Sequence, residues 1–297
     1  NVVQNVKVAV LDTGLTPLHP QLGPLKGFLT LGTFAGPVPF DGLGHGQFVV
    51  TEAFGGEAWT RFGLCKGVAD VRGGNIGSWK VMNDLGFGDT FAIVQGIEAA
   101  TKWGAKLINL SLGGELQGSV DDDPLCRVIK TIKDEVIVVC AAGNDGPDEY
   151  TIGTPAASPY ALTVGGWSVH YNGVPFFSSR GPNAAYYRDR RIALSEGMTK
   201  PDCIAPSGGP VNDGDPMDLL YSGMTGWAEG AYDLTPVDLF GALRGTSQAA
   251  PLASGVVALA MEKGYVRTAA DVKRKLARYG RKDHVRGYGL ITYKKLV

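Results

Sequence analysis

Val8-Ala9-Val10-Leu11-Asp12-Thr13-Gly14 decides the class of fold. From Val6 the run is almost unbroken in apolar residues, then ends abruptly on an acid and a glycine turn. A short, continuously apolar run with such a stop reads as a strand buried on both faces, the habit of parallel sheets. Three more runs follow the same pattern: Leu107 to Leu112, Val136 to Ala142 and Ala161 to Gly165. Between and beyond them lie helical stretches, Thr90 to Lys102, Asp123 to Asp134 and Ser247 to Lys263. Strands alternating with helices predict an α/β fold, a mostly parallel central sheet with helices on both faces. In such sheets, active groups gather at the carboxyl ends of strands and the amino ends of helices.

Composition agrees with a globular protein. The 297 residues include 43 glycines and 17 prolines, are 44% hydrophobic and only 19% charged. That much apolar surface excludes disorder, aperiodic glycine excludes collagen, and scarce charge excludes a coiled coil. No apolar run is long enough for a membrane span. A net charge of -1 gives no reason to expect nucleic acid or membrane as partner. Charge is uneven, however. Gly208 to Leu243 holds six acids and no Lys or Arg, whereas Glu262 to Val297 holds eleven basic residues and three acids. The basic end reads as the solvated face of a terminal helix. No linker divides the chain, so residues 1–297 are expected to form one domain, with insertions near 183–200 and 208–243. Cys65, Cys126, Cys140 and Cys203 have no zinc-knuckle spacing and read as buried free thiols rather than disulfides, which leaves the redox compartment open.

Four strand ends and helix starts carry polar groups worth following. Asp12 ends a buried strand and needs a partner, although a turn or capping role would also account for it. His45 lies in Asp41-Gly42-Leu43-Gly44-His45-Gly46, just before an apolar helical stretch, Phe48 to Phe54. The positive end of that helix disfavours an imidazolium unless an acid compensates, and Asp12 is a candidate; a structural His is the plainer alternative. Ser247, in Gly245-Thr246-Ser247-Gln248-Ala249-Ala250-Pro251, is either a helix cap or a nucleophile whose own N–H faces an oxyanion, with Pro251 tolerated in the first turn. Asn144, in Ala141-Ala142-Gly143-Asn144-Asp145-Gly146, is either a turn residue or a second oxyanion donor. Together they supply acid, base, nucleophile and oxyanion donor, in the order Asp, His, Ser. No Gly-x-Ser-x-Gly elbow occurs.

The chain resembles the subtilisin-like serine proteases. The matching segments are Val8 to Gly14, Gly44-His45-Gly46, Asn109 to Gly114, Ala141 to Asn144, Phe177 to Pro182, Lys200 to Pro206, Gly245-Thr246-Ser247 and Gly287 to Ile291, all in family order. The resemblance implies a three-layer α/β/α fold and a triad of Asp12, His45 and Ser247, with Asn144 as oxyanion donor. It implies a substrate bound as an added strand between Ser111-Leu112-Gly113 and Gly86-Phe87-Gly88. The primary pocket would be walled by Ala141, Ala142 and Gly143, with Gly153 at its base, suiting a large apolar or aromatic side chain. Asp145 would stand at the rim, able also to accept Lys or Arg, and Phe87 would narrow a more distant apolar subsite.

Three departures from the family stand out. Gln47-Phe48 replaces the usual Thr-His, which implies altered packing. Gln248 replaces the usual Met after the nucleophile, removing an oxidation target. Glu57 to Lys66 replaces an Asn-rich calcium loop, so structural calcium is not assured, and the acidic segment Asn212 to Asp238 is the alternative place for it. No cofactor is required for the chemistry. His19, His170 and His284 are expected to be structural. The implied protein is a monomeric endopeptidase acting on peptide or protein substrates, with an N-terminal prosegment or an inhibitor as a further partner. The chain starts at Asn1 with no signal peptide, which leads to the expectation of a secreted product trimmed at its N-terminus, with an intracellular site left open. Two rivals accompany this reading: a restricted processing protease or transpeptidase, and a non-catalytic peptide-binding module on the same fold.

Overall fold

A computed structural model describes residues 2–16, 19–22, 28–60, 63–71, 73–182, 198–212, 214–224, 232–235 and 239–297. Seven strands form one parallel sheet: β1 (Val8–Asp12), β2 (Phe28–Thr33), β3 (Ile76–Lys80), β4 (Leu107–Leu110), β5 (Ile137–Ala141), β6 (Leu162–Trp167) and β7 (Cys203–Pro206). Their spatial order is β7-β6-β5-β4-β1-β3-β2. Every residue of β1, β4 and β5 is buried, as the unbroken apolar runs require.

Alternation along these strands feeds two cores. Val8 and Val10 of β1 and Ile137, Val139 and Ala141 of β5 point to one face, where α1 (His45–Phe54) and α4 (Thr246–Glu262) cover them. Ala9 and Leu11, with Val138 and Cys140, point to the other, under α2 (Thr90–Trp103) and α3 (Pro124–Ile132). The fold is therefore the α/β sandwich of the subtilisin type. Helix ends follow local chemistry. The Asp89 and Asp123 side chains cap α2 and α3, and Gly104 closes α2 in the left-handed region at φ 93°. A shorter α5 (Ala269–Leu276) starts with a reciprocal Thr268–Asp271 capping box.

The expected insertion at 183–200 falls almost wholly outside the described residues. In the 208–243 segment, β8 (Leu220–Gly223), β9 (Tyr232–Thr235) and β10 (Phe240–Leu243) pair antiparallel, with β10 in the middle. This sheet is pinned to the body of the molecule. His19 donates from Nε2 to the Leu239 carbonyl at 2.6 Å and accepts the Gln21 N–H at Nδ1. Thr51 of α1 meets Ser222 Oγ at 3.0 Å. Two of its acids have local roles: Asp215 accepts from the Asn212 N–H and Asp218 from Ser168 Oγ.

Cys126, Cys140 and Cys203 are buried free thiols; the Cys65 side chain lies outside the described set. Burial pushes the Cys140 thiol up to about 12, so it is inert at neutral pH. The basic C-terminal end is only partly solvated. Lys273 and Lys282 turn inward with Lys200 onto one buried carboxylate, Asp202, at 3.3, 2.6 and 2.8 Å. Lys200 Nζ also donates to the Ala161 carbonyl and Thr163 Oγ1.

Burial and the two neighbouring ammonium groups pull Lys200 down to about 7, against the attraction of Asp202. Asp202 is held far below the usual carboxylate range: burial opposes ionisation, and the three lysines outweigh it. Asp202→Asn leaves three ammonium groups around a neutral amide and is expected to cost about 3–5 kcal/mol near neutral pH. Lys200 binds its proton more weakly folded than unfolded, so its burden on stability is full below pH 7 and lifts as pH rises. Wild-type stability should therefore rise between about pH 7 and pH 10, where the unfolded chain still holds the Lys200 proton and the folded one has released it, which urea melts across that range would measure.

Candidate active site

The carboxyl ends of β1, β4 and β5, adjacent in the sheet, open on one cleft of about 740 Å³. Asp12 is the last residue of β1 and fully buried. Its Oδ1 accepts from the Thr13 N–H and from His45 Nδ1, both at 2.7 Å. His45 is the first residue of α1, whose N-cap is Gly44. A glycine follows because nothing larger fits: a Cβ on Gly46 would overlap the Gly14 carbonyl and lie 3.2 Å from Asp12 Cβ. The Nδ1–H bond to Asp12 leaves Nε2 as the acceptor facing the cleft. Burial pulls the His45 pKa down, but the charge and hydrogen bond of Asp12, with the charge of Asp41, more than reverse it. The net shift is upward, so the acid answers the helix end as the sequence required.

Ser247 sits one residue inside α4, and its hydroxyl donates to the Ser111 carbonyl at 3.2 Å in this structure. Pro251 is the sixth helical residue, not a first-turn one. It lacks the N–H that would bond the Ser247 carbonyl four residues earlier. Ser111 Oγ donates to that carbonyl instead, at 2.8 Å. Ser111 is fixed in turn by Asn109 Nδ2 at 2.9 Å, and Asn109 Oδ1 by Ser254 Oγ of α4 at 2.9 Å. Asn144 follows β5. Its Oδ1 accepts from the Thr246 N–H at 2.9 Å and Thr246 Oγ1 at 3.1 Å, leaving Nδ2 free to donate beside Ser247.

The cleft brings together His45, Ser247, Asn144, Ser111, Leu112, Gly113, Gly86, Ala141, Ala142, Gly143, Asp145 and Gly153. A Cβ on Gly153 would overlap the Gly114 carbonyl, so the pocket base can only be this open with glycine. Phe87 and Gly88 are not part of this lining. Phe87 is 71% exposed beyond its edge, and a Cβ on Gly88 would press on the Val81 carbonyl. Glu115, absent from the residues the sequence suggested, lines the cleft beside Gly114. Thr13 also lines it and bridges Asp41 Oδ1 and the Gly46 N–H. The altered pair after Gly46 is absorbed by packing: Gln47 Oε1 accepts the Thr16 N–H, and Phe48 is fully buried. Among the described residues, no group of three or more His, Cys, Asp or Glu is arranged to hold a metal ion.

A parallel α/β sandwich whose strand ends deliver a paired Asp and His, a serine at a helix start and an aimed amide defines the subtilisin-like serine endopeptidases, a class of hydrolases. The Subtilase family pattern matches residues 3–287, and the chain belongs to that family. It is 30% identical over 290 residues to serine protease AprX of Bacillus subtilis strain 168, covering 92% of this chain and 60% of AprX. To subtilisin of Bacillus pumilus it is 28% identical, covering 97% of this chain and 89% of the relative. It spans only 17% of pyrolysin of Pyrococcus furiosus, at 28% identity over 74% of this chain. The protease domain of PatA has the same fold, with a TM-score of 0.69 at 24% identity over 98% of this chain and 94% of that one. The prenylagaramide maturation protease PagA does too, with a TM-score of 0.68 at 22% identity over 98% and 93%. No described helix is long and apolar enough to cross a membrane.

Gln248 is buried, and its Oε1 lies beside Gly245, as does Asn144 Nδ2. A methionine there would place a sulfoxide against the amide on oxidation. The wild type is expected to keep its activity in dilute peroxide and Gln248→Met to lose it. Rapid loss in the wild type, with Met82 and the other methionines unmodified by mass spectrometry, would contradict this.

Proposed function

We propose that this chain is the catalytic part of a serine endopeptidase that cuts peptide bonds through an acyl-enzyme. The 2.7 Å bond between His45 Nδ1 and Asp12 Oδ1, at the head of a cleft that also holds Ser247 and Asn144, carries the reading. Rotation about χ1 takes the Ser247 hydroxyl from Ser111 to His45 Nε2. The imidazole removes the hydroxyl proton as Oγ attacks the scissile carbonyl carbon. Asp12 holds the ring's tautomer and stabilises the imidazolium. Asn144 Nδ2 and the Ser247 N–H donate to the oxyanion. His45 then protonates the leaving amine, and water, deprotonated by the same ring, hydrolyses the ester. No cofactor enters these steps; calcium would serve only to stabilise a loop.

The substrate lies as a strand between Ser111-Leu112-Gly113 and the Gly86 segment, with Phe87 meeting residues further from the cut. Ala141, Ala142, Gly143 and Gly153 leave room for a large apolar or aromatic side chain before the cut, and Asp145 admits Lys or Arg at the rim. A second reading, a restricted processing protease or transpeptidase, is favoured by one observation. The added β8–β10 sheet packs on α1, the helix that carries His45. Hydrolysis of casein separates the two, since a restricted enzyme leaves it intact.

A fluorophosphonate probe should label the wild type and not Ser247→Ala; an unlabelled wild type removes the enzyme reading. Asn144→Ala should lower kcat about 100- to 1,000-fold, the loss seen when such a donor is removed from a subtilisin. A peptide library should show large apolar, aromatic or basic residues before the cut; acidic or β-branched ones would sink the pocket assignment.

A further inference from the structure

Asp41 takes no part in the steps above, yet the backbone on both sides of His45 hangs from it. It is 4% exposed. Its Oδ1 accepts from the Gly44 N–H at 2.7 Å, the Leu43 N–H at 3.1 Å and Thr13 Oγ1 at 2.8 Å. Its Oδ2 accepts from the Gln47 N–H at 2.7 Å. The N-cap of α1, Gly44, has no side chain with which to cap. Asp41 caps the helix from three residues upstream, satisfying amides that would otherwise be orphaned. The Thr13 hydroxyl, having donated to Asp41, accepts the Gly46 N–H at 2.8 Å. One carboxylate thus fixes the residue before the imidazole and, directly or through Thr13, the two after it.

Its charged surroundings are few. Asp12 of β1 and His45 of α1 face it from the triad side. Across the loop, Asp84 accepts from the Gly42 N–H at 3.1 Å and from Lys80 Nζ of β3 at 2.6 Å. Burial pushes the Asp41 carboxyl up to about 6, against its hydrogen bonds, and the Asp12 charge adds to the rise. The Asp41 charge in turn supports protonation of His45.

We propose that Asp41 is a positioning residue for His45: it holds the imidazole's backbone from both sides, and its negative charge backs the imidazolium, so protonating it disables the triad. The proposal rests on the triad reading above. It predicts two disabling protons on the acid side, one on His45 and one on Asp41. The rate of fluorophosphonate labelling should therefore fall about 100-fold per pH unit below roughly pH 6, instead of the tenfold expected from His45 alone.

The test is that labelling rate measured from pH 4.5 to pH 9 on the wild type, Asp41→Asn and Asp84→Asn. Asp41→Asn should fall at least 100-fold at pH 8, its remaining limb should drop to tenfold per unit, and the limb should move to lower pH, because His45 loses a negative neighbour. Asp84→Asn loosens the same loop from its solvent side and should keep the steep limb. The proposal is overturned if Asp41→Asn keeps the wild-type slope and midpoint, or if Asp84→Asn loses the steep limb equally. If Asp41→Asn does not fold, the wild-type profile decides alone: a limb of tenfold per unit overturns the proposal. A wild type unlabelled at pH 8 fails the endopeptidase reading itself, whereas a labelled wild type with the shallow limb fails only the role of Asp41.

Discussion

The end of β1 and the start of α1 approach so closely that no side chain fits between them, and the site is built on that contact. Gly46 lies against the Gly14 carbonyl and the Asp12 Cβ. Any larger residue would push the helix off the strand and open the 2.7 Å bond between His45 and Asp12. The closeness creates an electrostatic problem, because the positive end of α1 and burial both oppose an imidazolium. Two carboxylates answer it, Asp12 by direct contact and Asp41 through space. A single acid would have to bond the ring and organise the turn at once. Here Asp12 takes the ring, and Asp41 takes the amides.

Ser247 depends on a different constraint, the missing N–H of Pro251. The carbonyl it leaves free belongs to Ser247 itself, so the bond that replaces it ties that serine to Ser111. Ser111 also lies on the cleft edge proposed to bind substrate. The chain Ser254–Asn109–Ser111–Ser247 therefore couples the position of Ser247 to that edge of the cleft. Buried polar groups of this kind are tolerable only when all are paired, and each of these is. Helix α4 and the strand edge at Ser111 are thus held to each other by side-chain hydrogen bonds on both sides of Asn109.

The parts of the molecule legible from sequence are those where one signal dominates. β1, β4 and β5 were readable because burial on both faces leaves no polar residue to confuse the pattern. β3 was not, since Gly77, Ser78 and Lys80 break the run. Its lysine is buried because Nζ reaches the Thr13 carbonyl, distant in sequence, as well as Asp84 four residues on. Asp12, His45, Asn144 and Ser247 were legible because each lies at or within a few residues of a strand end or a helix start. Asp41 reads locally as a turn acid; its role needs β1 and α1 in place first. Pro251 misled by a few residues because its importance lies in a carbonyl four positions back. The inward turn of Lys273 and Lys282 was hidden for the same reason, as their partner is Asp202.

The sheet carries buried charge at both edges, and the two edges differ in what that charge can do. At the amino ends of β6 and β7, three lysines share one acid; at the carboxyl end of β1, two acids attend one histidine. Both arrangements are unbalanced, and both move a proton affinity, Lys200 downward and His45 upward. Lys200 is wholly enclosed, so its altered affinity registers only as pH-dependent stability. The His45 side chain keeps 23% of its surface exposed, on the cleft side. That opening presents the raised proton affinity to the cleft. Burial pulls both affinities down, the carboxylates reverse the fall only at His45, and only His45 opens on the cleft.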